Sequence, residues 1–98
     1  MDIRWGNFIW NSEKEKLVIN ARGITFKEAA MATTDPHAIR GSDELHYPDE
    51  ERQWTLGVSP KNRLLLVIST EQEGPLTRII TAWEAGKEDK ELYEKTIR

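Results

Sequence analysis

The residues with the clearest chemical potential are Arg52, Glu71 and Arg78. The stretch Leu64 to Glu84, LLLVISTEQEGPLTRIITAWE, reads as a buried strand, a tight turn and a second strand. It sets the carboxylate of Glu71 and the guanidinium of Arg78 on paired strands. Arg52 opens an alternating segment, with Trp54 and Leu56 on its own face; Leu76 and Ile80 flank Arg78 in the same way. A guanidinium on such a face either stretches to solvent or meets an anion, and its planar fork matches the oxygens of a phosphate or a carboxylate. Arg52 and Arg78 are therefore the leading phosphate-binding candidates, and Glu71 is a carboxylate able to accept a proton. The structural alternative is a cross-strand salt bridge from Arg78 to Glu71, worth about 0–1 kcal/mol when exposed.

Other cations extend the picture. Lys61 and Arg63 flank a turn and either join a basic patch with Arg52 and Arg78 or decorate a solvated hairpin tip. Arg22 falls just past a helix end, where a cation also complements the helix dipole. Trp54 and Trp83 can stack on bases if exposed, although large aromatics in a small domain more often belong to the core. His37 and His46 have no ligand-like spacing to another histidine, so no metal site is expected. A Gly-rich phosphate loop, a dinucleotide fingerprint, a serine elbow and a paired-carboxylate motif are all missing, and no cofactor is expected.

These residues need a frame. Asp2–Trp10 reads as one short strand with Gly6 as its weak point. Asn11-Ser12 offers an N-cap for a helix over Ser12–Ala21, with Leu17, Val18 and Ala21 on one side and Gly23 as its C-cap. Thr25 and Glu28 have capping-box spacing ahead of a second helix, which Asp35-Pro36 stops. A short strand is expected over His37–Gly41 and a surface loop over Ser42–Glu51. Strands follow over Arg52–Val58, Arg63–Thr70 and Leu76–Trp83, joined by turns at Ser59–Asn62 and Glu73–Pro75. The stripe Leu92, Tyr93, Thr96 and Ile97 predicts a closing helix. The sum is α+β: two short N-terminal helices, an antiparallel meander of three to four strands and a C-terminal helix. Trp10, Leu17, Phe26, Ala29, Leu56, Leu66, Ile68 and Ile80 are expected in the core.

Bulk properties set limits. The chain has 98 residues, and residues 1–98 are expected to form a single domain. With no cysteine it has neither a disulfide framework nor a thiolate metal site. A net charge of −3 counts against non-specific nucleic-acid binding by bulk charge, yet leaves room for a local basic patch. No secretory core is visible and no apolar run reaches the ~18 residues of a membrane span, so no membrane association is expected and the chain is compatible with a cytoplasmic location.

The ordered set Phe8-x-Trp10-Asn11-x-x-Lys14, Gly23-x-x-Phe26-x-Glu28-Ala29, Asp35-Pro36, Glu51-Arg52 with Gly57, Leu65-x-Val67 with Thr70-Glu71, Arg78–Ala82 and finally Glu91 with Tyr93 resembles the BrnT toxin family, also called DUF497. The resemblance covers nearly the whole chain. It departs from the family pattern where Ala21-Arg22 replaces the common Lys-His, and where Gln72 and Trp83 stand for frequent arginines.

The resemblance implies a RelE-like fold and a cytoplasmic bacterial ribonuclease toxin of a type II toxin–antitoxin system. Such a toxin cleaves RNA without a metal and is silenced by a BrnA-like antitoxin encoded beside it. Cleavage of this kind needs a base for the 2′-OH, a cation for the charge growing on phosphate, and an acid for the leaving 5′-oxygen. In this chain Arg52 and Arg78 would hold the phosphate. Glu71 would act as base or orient an arginine, and Arg22, Lys61 and Arg63 would hold RNA. The apolar stripe of the last helix leaves room for a homodimer or a toxin–antitoxin hetero-oligomer. The rival reading, drawn from net acidity and the missing cations, is a non-catalytic BrnT-like module that binds protein or regulates.

Overall fold

The computed structural model describes residues 1–42, 51–72 and 74–97. The loop expected over Ser42–Glu51 lies almost wholly outside the described residues, as do His46 and Glu73. Elements run β1 (Asp2–Trp5), β2 (Phe8–Asn11), α1 (Ser12–Arg22), α2 (Phe26–Ala32), β3 (Ile39–Ser42), β4 (Arg52–Val58), β5 (Leu64–Glu71), β6 (Thr77–Glu84) and α3 (Lys87–Ile97). The described strands form one mixed sheet in the order β1-β2-β6-β5-β4-β3.

The α+β class holds, but the meander is only part of the sheet. The segment expected to be one strand is a hairpin, with Trp5 paired to Phe8 around Gly6-Asn7. Gly6 has φ of +59°, the left-handed conformation a two-residue turn of this kind needs at its first central position. The hairpin then joins β6 in parallel, through Phe8–Thr77 and Ile9–Arg78. All other pairings are antiparallel. Between Ile68 and Ser69 of β5 the partners in β6 jump from Thr81 to Ile79, so Ile80 is an extra residue in a bulge.

Caps fall where local chemistry puts them. The Asn11 side chain accepts from the Lys14 amide and Gly23 ends α1 in the left-handed region. Thr25 accepts from the Glu28 amide at the start of α2. The reciprocal half of the expected capping box is absent: Glu28 turns instead into the protein, and Glu15 accepts the Phe26 amide at 2.8 Å.

Helices α1 and α2 cover one face of the sheet. Trp10, Val18, Ile24, Phe26, Ala29, Ala30 and Ala32 pack there against Leu65, Val67, Ile79 and Ala82. Of the expected core, Trp10, Phe26, Ala29, Leu56 and Ile68 are buried, whereas Leu66 and Ile80 are half-buried. Leu17 is a correction: it is 66% exposed because Val18, one position on, faces the sheet and turns Leu17 outward. Asp35 ties the third helix to this frame, its carboxylate accepting from the Tyr93 hydroxyl and, at 2.9 Å, from the Val58 amide.

Gly57 sets how closely α2 approaches β4. A Cβ there would lie 2.0 Å from the carbonyl oxygen of Ala32, a backbone atom that cannot swing aside. Gly57→Ala is therefore expected to cost at least about 2 kcal/mol and to lower Tm by on the order of 10 °C. Thermal unfolding followed by circular dichroism checks this; an unchanged Tm would refute the close approach.

Candidate active site

Strand register assembles the site. Arg52 in β4 pairs with Thr70 in β5, and Thr70 pairs in turn with Arg78 in β6. Paired residues share a face. Both arginines therefore rise from the face opposite α1 and α2, two strand spacings or about 10 Å apart at Cα. They line one shallow pocket of about 340 Å³ together with Glu51, Thr70, Glu71, Gln72 and Ile80. The Thr70 hydroxyl between them accepts from Gln72 Nε2 at 2.9 Å.

Glu71 enters this pocket from its rim. It pairs with Thr77, one step outside the arginine row, so its side chain starts on the other face at the end of β5. There it is exposed and also borders a second pocket with Phe8 and Thr77.

Arg78 meets its anion elsewhere than the sequence suggests. Its Nη1 and Nη2 donate to the two carboxylate oxygens of Asp2 in β1, at 3.1 and 3.0 Å. These hydrogen bonds, and then the charge of Arg78, hold the Asp2 carboxyl below its usual range, and the same contact raises Arg78. Asp2 and Thr70 are parts of the site that sequence reasoning missed. Asp2 lies 76 positions from Arg78, and only the parallel β2–β6 pairing brings them together.

The same face carries an open groove of about 910 Å³, floored by Trp54, Leu56, Leu66, Ile68 and Trp83. Arg52 borders both pocket and groove. Arg22 and Lys14 of α1 stand on the groove's rim. Arg22 Nη1 donates to the Thr81 hydroxyl at 3.1 Å and the Ala82 carbonyl at 3.2 Å, and its guanidinium lies 5.4 Å from the Trp83 ring centroid. Trp54 and Trp83 are thus half-buried groove walls, and Trp10 is the fully buried tryptophan.

Lys61 and Arg63 sit at the far end of the β4–β5 hairpin, roughly 20 Å along the strands from Arg52. Lys61 is exposed on the turn. Arg63 is engaged structurally. Its Nε donates to Glu28 Oε2 at 2.9 Å, and Nη2 donates to the other Glu28 oxygen and, at 3.1 Å, to the Gly23 carbonyl. Glu84 lies 3.5 Å away, and the Ser59 hydroxyl donates to Glu28 at 2.7 Å. Among the described residues no group of three or more His, Cys, Asp or Glu side chains is gathered to hold a metal ion, and no helix is long and apolar enough to cross a membrane.

The family model described as ribonuclease toxin, BrnT, of type II toxin–antitoxin system matches residues 10–89. The chain belongs to the BrnT family. No curated protein gave a match. The BrnT match spans Arg52, Glu71 and Arg78, and leaves β1 with Asp2 outside it. Membership makes the chain a ribonuclease toxin by family and implies an antitoxin partner.

The pair formed by buried Glu28 and half-buried Arg63 in this BrnT-family chain has a pH signature. Burial pushes the Glu28 carboxyl up, but hydrogen bonds from Arg63 and Ser59 and the charges of Arg63 and Lys61 outweigh it, and the net displacement is downward. The pair's contribution is complete above the unfolded value of about 4.3 and is lost as pH falls through the lower folded value. Arg63→Met leaves the carboxylate buried without its cation and is expected to cost about 3 kcal/mol at neutral pH. In that variant burial dominates, the folded value rises, and the deficit shrinks as pH falls toward 4. Denaturant unfolding at pH 7 and pH 4 checks the sign; an equal deficit at both would refute the pairing.

Proposed function

We infer that this chain is a metal-independent endoribonuclease toxin, RelE-like in fold, that acts in the cytoplasm and is neutralised by a BrnA-like antitoxin encoded beside it. One observation carries the reading: Arg52 and Arg78 pair with the same residue of β5 and line the same pocket. Two arginines flanking Thr70 on one face suit a phosphodiester, since a guanidinium fork matches its oxygens with two parallel N–H donors.

The RNA 2′-oxygen attacks the adjacent phosphorus, the bond from phosphorus to the 5′-oxygen breaks, the 5′-oxygen takes a proton from solvent water and leaves as a hydroxyl, and a 2′,3′-cyclic phosphate remains. Arg52 and Arg78 stabilise the charge that grows on the non-bridging oxygens, which is the service a metal gives in other nucleases. Glu71, at the pocket rim, takes the 2′-OH proton or orients an arginine. Before RNA arrives Asp2 occupies the fork of Arg78, so phosphate replaces one oxyanion by another. Arg22 and the groove beyond Arg52 hold the flanking RNA, while Lys61 and Arg63 stand too far off to touch the scissile linkage.

The second reading is a non-catalytic BrnT-like module, favoured by the Asp2 carboxylate already satisfying Arg78. A purified chain assayed on RNA in EDTA separates the two. Cleavage is expected, and Arg52→Ala or Arg78→Ala should lower kcat on the order of 10²–10³-fold while the circular dichroism spectrum is retained. Glu71→Gln should lower it about 10²-fold if Glu71 is the base. Cleavage only on adding a divalent cation would refute metal independence; no cleavage in any buffer, with normal antitoxin binding, would favour the module.

A further inference from the structure

The register that joins Arg52 to Arg78 continues past β6. Arg78 pairs with Ile9 in β2, and Ile9 pairs with Arg4 in β1. One row therefore runs Arg4, Ile9, Arg78, Thr70, Arg52 across five strands. Arginines stand on alternate strands, and the residues between them are uncharged. Since paired residues share a face, three guanidiniums rise from one side of the sheet at steps of about 10 Å, over a span of about 19 Å. Arg4 is exposed, and its hydrogen bond to the Gly6 carbonyl at 3.2 Å uses only Nε. It also lies outside the residues the family model matches.

We propose that Arg4 is the third anchor of a phosphate-binding row, so that single-stranded RNA crosses the sheet perpendicular to its strands with the scissile phosphate between Arg52 and Arg78 and a flanking backbone phosphate at Arg4. This rests on the ribonuclease reading of Arg52 and Arg78. A track of cations gives affinity without reading bases, and it supplies locally the positive charge that the chain's net −3 denies it globally. Asp2, two residues before Arg4 on the same face, holds Arg78 until phosphate displaces it.

The test is fluorescence anisotropy across a NaCl series, with 2′-O-methyl oligouridylate of about ten nucleotides and a 2′-O-methyl dinucleotide as uncleavable probes. Arg4→Ala and Arg4→Gln are compared with wild type and with Lys95→Ala on α3, which removes one positive charge far from the row; cleavage of natural RNA by wild type is measured in parallel. Both Arg4 variants should weaken binding of the longer probe about three- to tenfold and reduce the slope of log K against log salt by about 0.7, leaving the dinucleotide unchanged. Lys95→Ala should move neither. If Arg4→Gln keeps the wild-type slope, or if both probes weaken equally, the row is overturned while cleavage by wild type still upholds the ribonuclease reading. If wild type neither binds nor cleaves RNA, both are overturned together.

Discussion

The pairing of β5 with β4 on one side and β6 on the other is the constraint on which everything else depends. Leu65 and Val67 belong to the face that α1 and α2 bury, while Leu66, Ile68 and Thr70 belong to the other. Because side chains alternate with a period of two, a slip of one residue would drive Arg52 into the helix layer and expose the core. The apolar burial that locks this register also fixes where the cations stand. The site is a by-product of a strand that has to be in one place.

A second constraint works at the opposite end of the same strands. The Glu28 carboxylate is buried and accepts from Arg63 and Ser59, while Arg63 also reaches the Gly23 carbonyl at the end of α1. One ion pair thus joins both helices to the β4–β5 turn. Breaking such a pair is costly because it strands a charge away from water. The chain therefore divides its arginines by role: Arg63 is consumed in holding layers together, and Arg52 and Arg78 lie on the open face at the far end of the hairpin.

Local chemistry was legible in the residues. Alternation marked β4, an apolar run marked β5 and bounding turns marked β6, and Asn11, Gly23 and Thr25 marked helix ends that the structure keeps. The pairing of Arg52 and Arg78 with one central strand followed from the meander alone. What local pattern could not carry was long-range. The parallel β2–β6 contact joins segments some 70 residues apart, and it alone gives Arg78 its partner Asp2. The hairpin at Gly6-Asn7 did leave a signal, a two-residue glycine turn between aromatic runs, but it is outweighed when the segment is read as continuous. Glu28 misled for a different reason: its spacing from Thr25 suits a capping box, yet the Arg63 guanidinium within reach binds a carboxylate more strongly than a terminal amide does.

Ile80, the extra residue in β6, has an effect on geometry larger than its size. Arg78 and Trp83 are an odd number of positions apart, so an unbroken strand would send them to opposite sides. With the bulge, Arg78 aligns with Thr70 and Trp83 with Leu66, and both look outward from the face opposite α1 and α2. Along β6, the polar pocket and the aromatic trough share a face only through that one-residue dislocation, whereas on β4 Arg52 already borders both. Deleting Ile80 itself would leave Arg78 and Trp83 four positions apart in an unbroken strand, so both would keep their outward aspect and only the local bend and extra twist of the bulge would vanish.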